Sequence, residues 1–502
     1  MTRKKKFALN TICALLYQIV TIICGFILPK FIIPHFGSKV NGLVNSITQF
    51  LAVITFLESG VGAVIQSSLY KPLAEKDENQ ISKIIISSRR FFNIITFITI
   101  IYVIGLVISY YFIINSSFSF IYTASLILVL AFSFIAQHYL FISYRLLLNA
   151  DQLSFIQISI HTICLILNCF FTIVLIKFNF SIHIVKLVSA IVFALQPIVI
   201  KLYVDKHYKL NLGLKLKEEP IKQKWNGFAQ HISSVILGNT DTVVLTIFST
   251  LENVSIYSVY YLVVHGIKQI MHSLMNGIQP LFGNMLAKKE HERLNKTIDT
   301  IEFINFNLVL FLYLMCAILI VPFVKIYTNN FNDANYIIPS FGYILTLAYA
   351  VLAIRTPYEM LIKAAGHYKE TQISSFIESG LNIIISITFV FKFGLIGVAI
   401  GTLIAVSYRT LYLIHYLKKN IVFRKPYSFI KMCLESAIII GTTIILTKRL
   451  ELNSISYLSF IILAIKKGVL SILIISTINF FVNRKELKDA IELLKNKKKR
   501  RE

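Results

Sequence analysis

Four oxygen-bearing side chains interrupt otherwise apolar runs of this sequence. Asp241 lies in GNTDTVV, Glu378 and Asn382 lie in ESGLN, and Thr402 lies in the run that follows. A spacing of four puts Glu378 and Asn382 on one helix face. Carboxylate, amide and hydroxyl oxygens are hard ligands, suited to a small hard cation or to relaying a proton. The competing reading is structural, with Asp241 as an interior hydrogen-bonding group and Glu378 as the partner of Arg355 or Arg409. Lys268, Arg355 and Arg409 are the basic residues that fall deep in apolar runs. Arginine offers phosphate a planar, bidentate fork, and lysine offers a mobile point charge. Against those roles stand a local pair of Arg355 with Glu359 at i,i+4 and snorkelling of Arg409. His265, Gln269 and His272 share the stretch of Lys268 and form one polar stripe at helical spacing.

The first half of the chain offers Glu58, Gln66, His138, His161 and Asn168 as polar positions inside apolar runs. Gly60 and Gly62 beside Glu58 would let backbones approach closely. A histidine in such a run is more often a satisfied interior group than a relay. Tyr257, Tyr260 and Tyr261 could stack on sugar rings, although packing and interface anchoring are the better default. Cys13, Cys24, Cys164, Cys169, Cys316 and Cys433 all fall in apolar runs without a CxxC pair, so neither a disulfide framework nor a metal site is expected. No GxxxxGK[ST] loop occurs, and no loop is long enough for a catalytic domain. The chain is therefore read as lacking catalytic residues and a tightly bound cofactor, with a transported Na+ or H+ as the coupling species.

These residues need a membrane to sit in. At 56% hydrophobic and 15% charged residues the chain falls outside the soluble class. Apolar runs near the ~20 residues that cross a bilayer predict an all-α polytopic membrane protein of about 14 transmembrane helices. The last of these is interrupted at its start by Lys466 and Lys467, so residues 455–465 could lie at the interface. Of the 50 Lys and Arg, 37 fall in alternate loops and the two ends. The positive-inside rule then places both termini in the cytoplasm. RKKK and NKKKRRE flank apolar runs, so the formal charge of +26 reads as topology signal and attraction to anionic membrane lipid, not nucleic-acid binding.

The plan is also duplicated. LAEKDENQISK at Leu73 is echoed by LAKKEHERLNK at Leu286, and the spacing of Tyr144 to Asn168 recurs from Tyr358 to Asn382. Offsets of 213 and 214 predict two parallel six-helix repeats plus a C-terminal helix pair. The expected divisions are residues 1–204 for the first lobe, 205–224 for a cytoplasmic linker and 225–417 for the second lobe. Residues 418–482 are the appended pair, and 483–502 a basic cytoplasmic tail.

The order of GFILPKFIIPHFGSKVNGLVNSI, FLESGVGAVIQSSLYKPLAEKD, RLLLNADQ, GNTDTVVLTIF and PLFGNMLAKKE resembles bacterial Wzx-type oligosaccharide flippases. That superfamily also contains lipid II flippases and MATE drug exporters. The resemblance implies a bilobed secondary transporter of the bacterial cytoplasmic membrane. Its implied cargo is an undecaprenyl-pyrophosphate-linked oligosaccharide repeat unit, turned outward for capsule, exopolysaccharide or O-antigen-like polymer assembly. The polymerase and glycosyltransferases of the same pathway are implied partners. Acidic and amide positions on the seventh and eleventh spans serve a sodium site in lipid II flippases, and the first span here is thin in the arginines they carry. A cation-coupled multidrug exporter of the MATE type and a membrane polysaccharide polymerase or ligase are the competing readings.

Overall fold

The computed structural model describes residues 3–114, 117–138, 142–214, 228–275, 278–422 and 427–499. Every regular element among them is a helix. The first eight are α1 (Arg3–Phe36), α2 (Ser38–Val53), α3 (Phe56–Glu75), α4 (Glu78–Ile113), α5 (Phe120–His138), α6 (Ile142–Ala150), α7 (Ser154–Lys177) and α8 (Ile182–His207). The next eight repeat that sequence of long and short helices. They are α9 (Phe228–Phe248), α10 (Leu251–Met275), α11 (Ile278–Ala287), α12 (His291–Tyr327), α13 (Pro339–Ile354), α14 (Thr356–Ala364), α15 (Tyr368–Phe393) and α16 (Leu395–Asn420). Then come α17 (Tyr427–Thr447), α18 (Tyr457–Val482) and α19 (Arg484–Lys499).

The repeat is visible in how helices stop. Lys76 after α3 and Lys289 after α11 both take left-handed conformations, at φ 56° and 55°. In each case the next amide closes a wide turn, Asp77 N onto Pro72 O at 2.9 Å and Glu290 N onto Met285 O at 3.0 Å. This six-to-one closure satisfies carbonyls that a helix end leaves open. Gln152 and Gly366 do the same after α6 and α14, with φ 61° and 75°. The echoed LAEK and LAKK segments are thus the same stop signal used twice, and in the first copy the Asp77 side chain then caps α4 through Gln80 N at 2.9 Å.

Ten helices among the described residues are long and apolar enough to cross a membrane, counting α5–α6 and α13–α14 as one crossing each. The four other expected spans fall on α2–α3, α9, α10–α11 and α17, which are divided or whose side chains are only partly described. α18 runs unbroken through Lys466 and Lys467, with Lys466 exposed and Lys467 buried on its protein-facing side.

The chain forms two compact units, residues 1–255 and 256–502. In the first, α9 packs on α2 and α3, α1 packs on α7, and the interior is built from α2–α6. Gly42 of α2 lies so close to Leu251 that a Cβ would strike its carbonyl. Asn41 donates to Ser255 Oγ at 2.7 Å, and Ser46 meets Thr246 Oγ1 and Tyr110 OH at 2.5 Å each. In the second unit, α15 and α13 pack on α16, α12 packs on α13, and α11 packs on α14. α17, α18 and α19 attach to the same unit through α12.

Candidate functional site

In the second unit a proline positions the central arginine. Pro357 has no N–H, so the carbonyl of Ala353 loses the donor that an unbroken helix would supply. Asn305 of α12 fills the gap, its Nδ2 donating to Ala353 O at 3.2 Å and Ile354 O at 3.4 Å. α13 gives way to α14 at this point, and Arg355 occupies the junction with only 3% exposure. One turn on, the Tyr358 hydroxyl donates to the Glu302 carboxylate, both groups being buried. The end of α13 and the start of α14 are therefore both pinned to α12, on either side of Arg355.

Arg355 is held by two carboxylates. Its Nη1 reaches Glu378 Oε1 at 2.5 Å, and its Nε reaches Glu359 Oε1 at 2.8 Å. Arg409 Nη1 takes the other oxygen of Glu378 at 2.7 Å. Glu378, 1% exposed, thus bridges two guanidinium groups from α13–α14 and α16. Lys363 stands 3.9 Å from Glu359 at the outer edge. Burial strips water from these charges, so each is tolerable only because it is paired.

Lys268 of α10 lies within the electrostatic reach of Arg355, Glu359 and Glu378. It makes no ion pair among the described residues; its ammonium sits 5.9 Å from the centre of the Tyr349 ring. With Lys268 and the outer Lys363, the cluster counts four cations against two carboxylates. The same helix carries a ladder of rings, Tyr257 stacked on Tyr261 at 5.6 Å and Tyr261 on His265 at 4.9 Å. Gln269 continues it, Nε2 meeting His265 Nδ1 at 3.2 Å. Tyr257 is buried, Tyr261, His265, Lys268 and Gln269 are half-buried, and His272 is exposed. A polar stripe of growing exposure inside an apolar helix faces water or cargo more readily than lipid.

The predicted oxygen set is partly assembled. Asn382 donates to Thr402 Oγ1 at 3.0 Å, one turn along α15 from Glu378. Asp241 is buried on α9, in the first unit. His161 donates from Nδ1 to Gln196 Oε1 at 2.7 Å and contacts the rings of Tyr17 and Phe193, an interior arrangement. The side chains of Glu58 and His138 lie outside the described residues. Sequence reasoning passed over Glu302, Tyr358 and Asn305 as site residues. Pro357 was the available signal, because a proline in a span demands a substitute donor from a neighbour.

No family model matches the sequence, and no curated protein matches it. Solved structures do. Lipid II flippase MurJ in an inward closed conformation superposes with a TM-score of 0.71 at 19% identity, covering 94% of this chain and 99% of that one. An inward-facing MATE family multidrug transporter of the MOP superfamily gives 0.61 at 14%, over 81% and 96%. The Vibrio cholerae MATE transporter VcmN gives 0.58 at 13%, over 84% and 98%. The fold is that of the MOP transporters. Along this chain α9–α16 follow the order of long and short helices in α1–α8, and α17–α18 come after them.

Proposed function

We propose that this protein is an alternating-access flippase. Its cargo is an undecaprenyl-pyrophosphate-linked oligosaccharide repeat unit, carried from the cytoplasmic to the outer leaflet of a bacterial membrane for surface-polymer assembly. The observation that carries the reading is the cluster of Arg355, Arg409 and Lys268, which with the outer Lys363 outnumbers Glu359 and Glu378. A diphosphate crossing a bilayer must exchange water for such donors, and guanidinium forks suit its oxygens. At rest Glu378 occupies both arginines. Protonation of Glu378, or a sodium ion taken by Glu378 with Asn382 and Thr402, would release them to cargo. That exchange gives the coupling ion a different affinity for loaded and empty states, which any driven carrier requires.

The test is transport of lipid-linked oligosaccharide across liposomes under imposed sodium or proton gradients. Lys268→Ala is expected to reduce transport at least about tenfold, the loss of one charge-assisted contact, with insertion unchanged. Lys268→Arg should keep part of the rate. Full transport by the alanine variant would remove Lys268 from the cargo path. The MATE likeness supports a second reading, a cation-coupled exporter of small amphipathic compounds. Its excess positive charge makes this site a poor host for cationic drugs, and drug transport without oligosaccharide transport in the same liposomes would establish that reading instead.

A further inference from the structure

The appended helices hold a buried lysine that makes no ion pair among the described residues. α12, α17 and α18 pack together, and the bundle they form is layered. At one level Lys431 of α17 is fully provided for. Its ammonium lies 2.7 Å from Asn483 Oδ1, 3.6 Å from Glu435 and 3.8 Å from Glu486. Asn483 in turn donates to Glu435, and Asn479 to Asn307 of α12 at 2.6 Å. The next level is apolar, made by Leu310, Leu314, Ile439 and Ile475.

Above that layer the interior turns polar again. Counting sixteen residues along each antiparallel helix from the Lys431–Asn483 contact brings Thr447 level with Lys467, and Thr443 level with Ser471. By the same count Ile439 falls level with Ile475, and both belong to the one apolar cluster. Lys467 is 8% exposed, Thr447 2%, and Thr443 and Ser471 are fully buried. Thr447 and Ser471 donate to carbonyls of their own helices, while Thr443 Oγ1 has no hydrogen-bond partner among the described residues. Lys467 makes no ion pair among the described residues either. The carboxylate whose field reaches it is Glu451, exposed on the loop before α18.

Lys467 is ten residues into α18, about 15 Å along the helix from its Tyr457 end. Its neighbour Lys466 points outward and is free to snorkel. We infer that Lys467, with Thr443, Thr447 and Ser471, holds the phosphate of an anionic lipid from the leaflet at the Tyr457 end of α18. The ammonium neutralises the phosphate, and a hydroxyl without a partner donates to one of its oxygens. This site is separate from the arginine cluster on α13–α16 and does not depend on the cargo reading.

Native mass spectrometry and thermal unfolding of the full chain in detergent test the inference. Phosphatidylglycerol, undecaprenyl phosphate and inorganic phosphate are added in separate arms, with phosphatidylcholine as the zwitterionic control. Phosphatidylglycerol or undecaprenyl phosphate should bind and raise the unfolding temperature, and the arm that responds names the source. Lys467→Met should weaken that binding about tenfold or more, while Lys467→Arg retains it. If the site holds no phosphate, removing a buried, uncompensated ammonium stabilises the protein equally with and without lipid. That outcome, or equal lipid binding by wild type and Lys467→Met, would overturn the assignment. So would a response to inorganic phosphate with none to either lipid.

Discussion

Glu378 shows how much hangs on one carboxylate. Both of its oxygens are engaged by arginines, so Glu378→Gln leaves Arg355 with Glu359 alone and Arg409 without a carboxylate among the described residues. Breaking a buried ion pair from one side costs about 3–5 kcal/mol. Thermal unfolding of Glu378→Gln should show that loss, and the Arg409→Gln/Glu378→Gln double variant should recover part of it. Gradient-dependent transport measured on the same preparations separates a coupling role from a purely structural one. A second residue acts outside the spans. Tyr208, after α8, donates to Asp151 Oδ2 at 2.6 Å, where Lys6 also binds at 2.9 Å. Burial and the adjacent carboxylate raise the Tyr208 hydroxyl above its ordinary range. The unfolded chain then gives up this proton first, so the contribution is complete below about pH 10 and is lost as pH rises further. Tyr208→Phe should flatten the alkaline limb of a stability-versus-pH curve, and an unchanged limb would dismiss the effect.

At the scale of the element, the junction between α13 and α14 is a proline defect repaired from outside. Pro357→Ala restores the amide, and with it the ordinary helical bond to Ala353 O. Asn305→Leu alone should cost ~1–3 kcal/mol by leaving that carbonyl dry and unpaired. In the Pro357→Ala background the same change should cost much less. A double-mutant cycle in thermal unfolding reads the coupling directly, and additive costs would mean that Asn305 serves some other purpose. Here the limits of sequence reading are physical. Asn305 and Ala353 are 48 residues apart, and nothing local to TIEFIN says where its amide points. Glu378 and Asn382 were legible because helical spacing is local, as was the pairing of Arg355 with Glu359. The structural reading paired Glu378 with Arg355 or Arg409, and the structure gives it both. Only the packing of α15, α13 and α14 on α16 decides which partners are within reach.

Over the whole molecule the duplication was the readable part, because hydrophobic runs and stop signals survive divergence. Lys76 and Lys289, like Gln152 and Gly366, still end their helices in the same left-handed turn. The chemistry has not stayed symmetric. The LAEK-to-LAKK offset sets Glu302 against Arg89, and each lies near the tyrosine of the other marker, Tyr358 and Tyr144. Opposite charges at matched positions allow an arginine-rich cluster in one copy without a twin in the other. An artificial chain with the second copy in both places should therefore be less stable than the natural one, as thermal unfolding would show. Equal stability would mean that the charge reversal is neutral.

The packing of α9 against α2 and α3 bears on how a ribosome hands this protein to the membrane. By the repeat α9 opens the second copy, yet by contact it completes the first unit. A nascent chain that has emerged only as far as α8 leaves faces of α2 and α3 uncovered, to be shielded by lipid or by the insertion machinery. Translation must pass the linker before the earlier half can close. Two genes cut within residues 215–227 would yield a first product prone to degradation when made alone. A cut at Ser249–Thr250 should give one that resists proteolysis. Equal protease sensitivity of the two products would show that the first half matures without its borrowed helix.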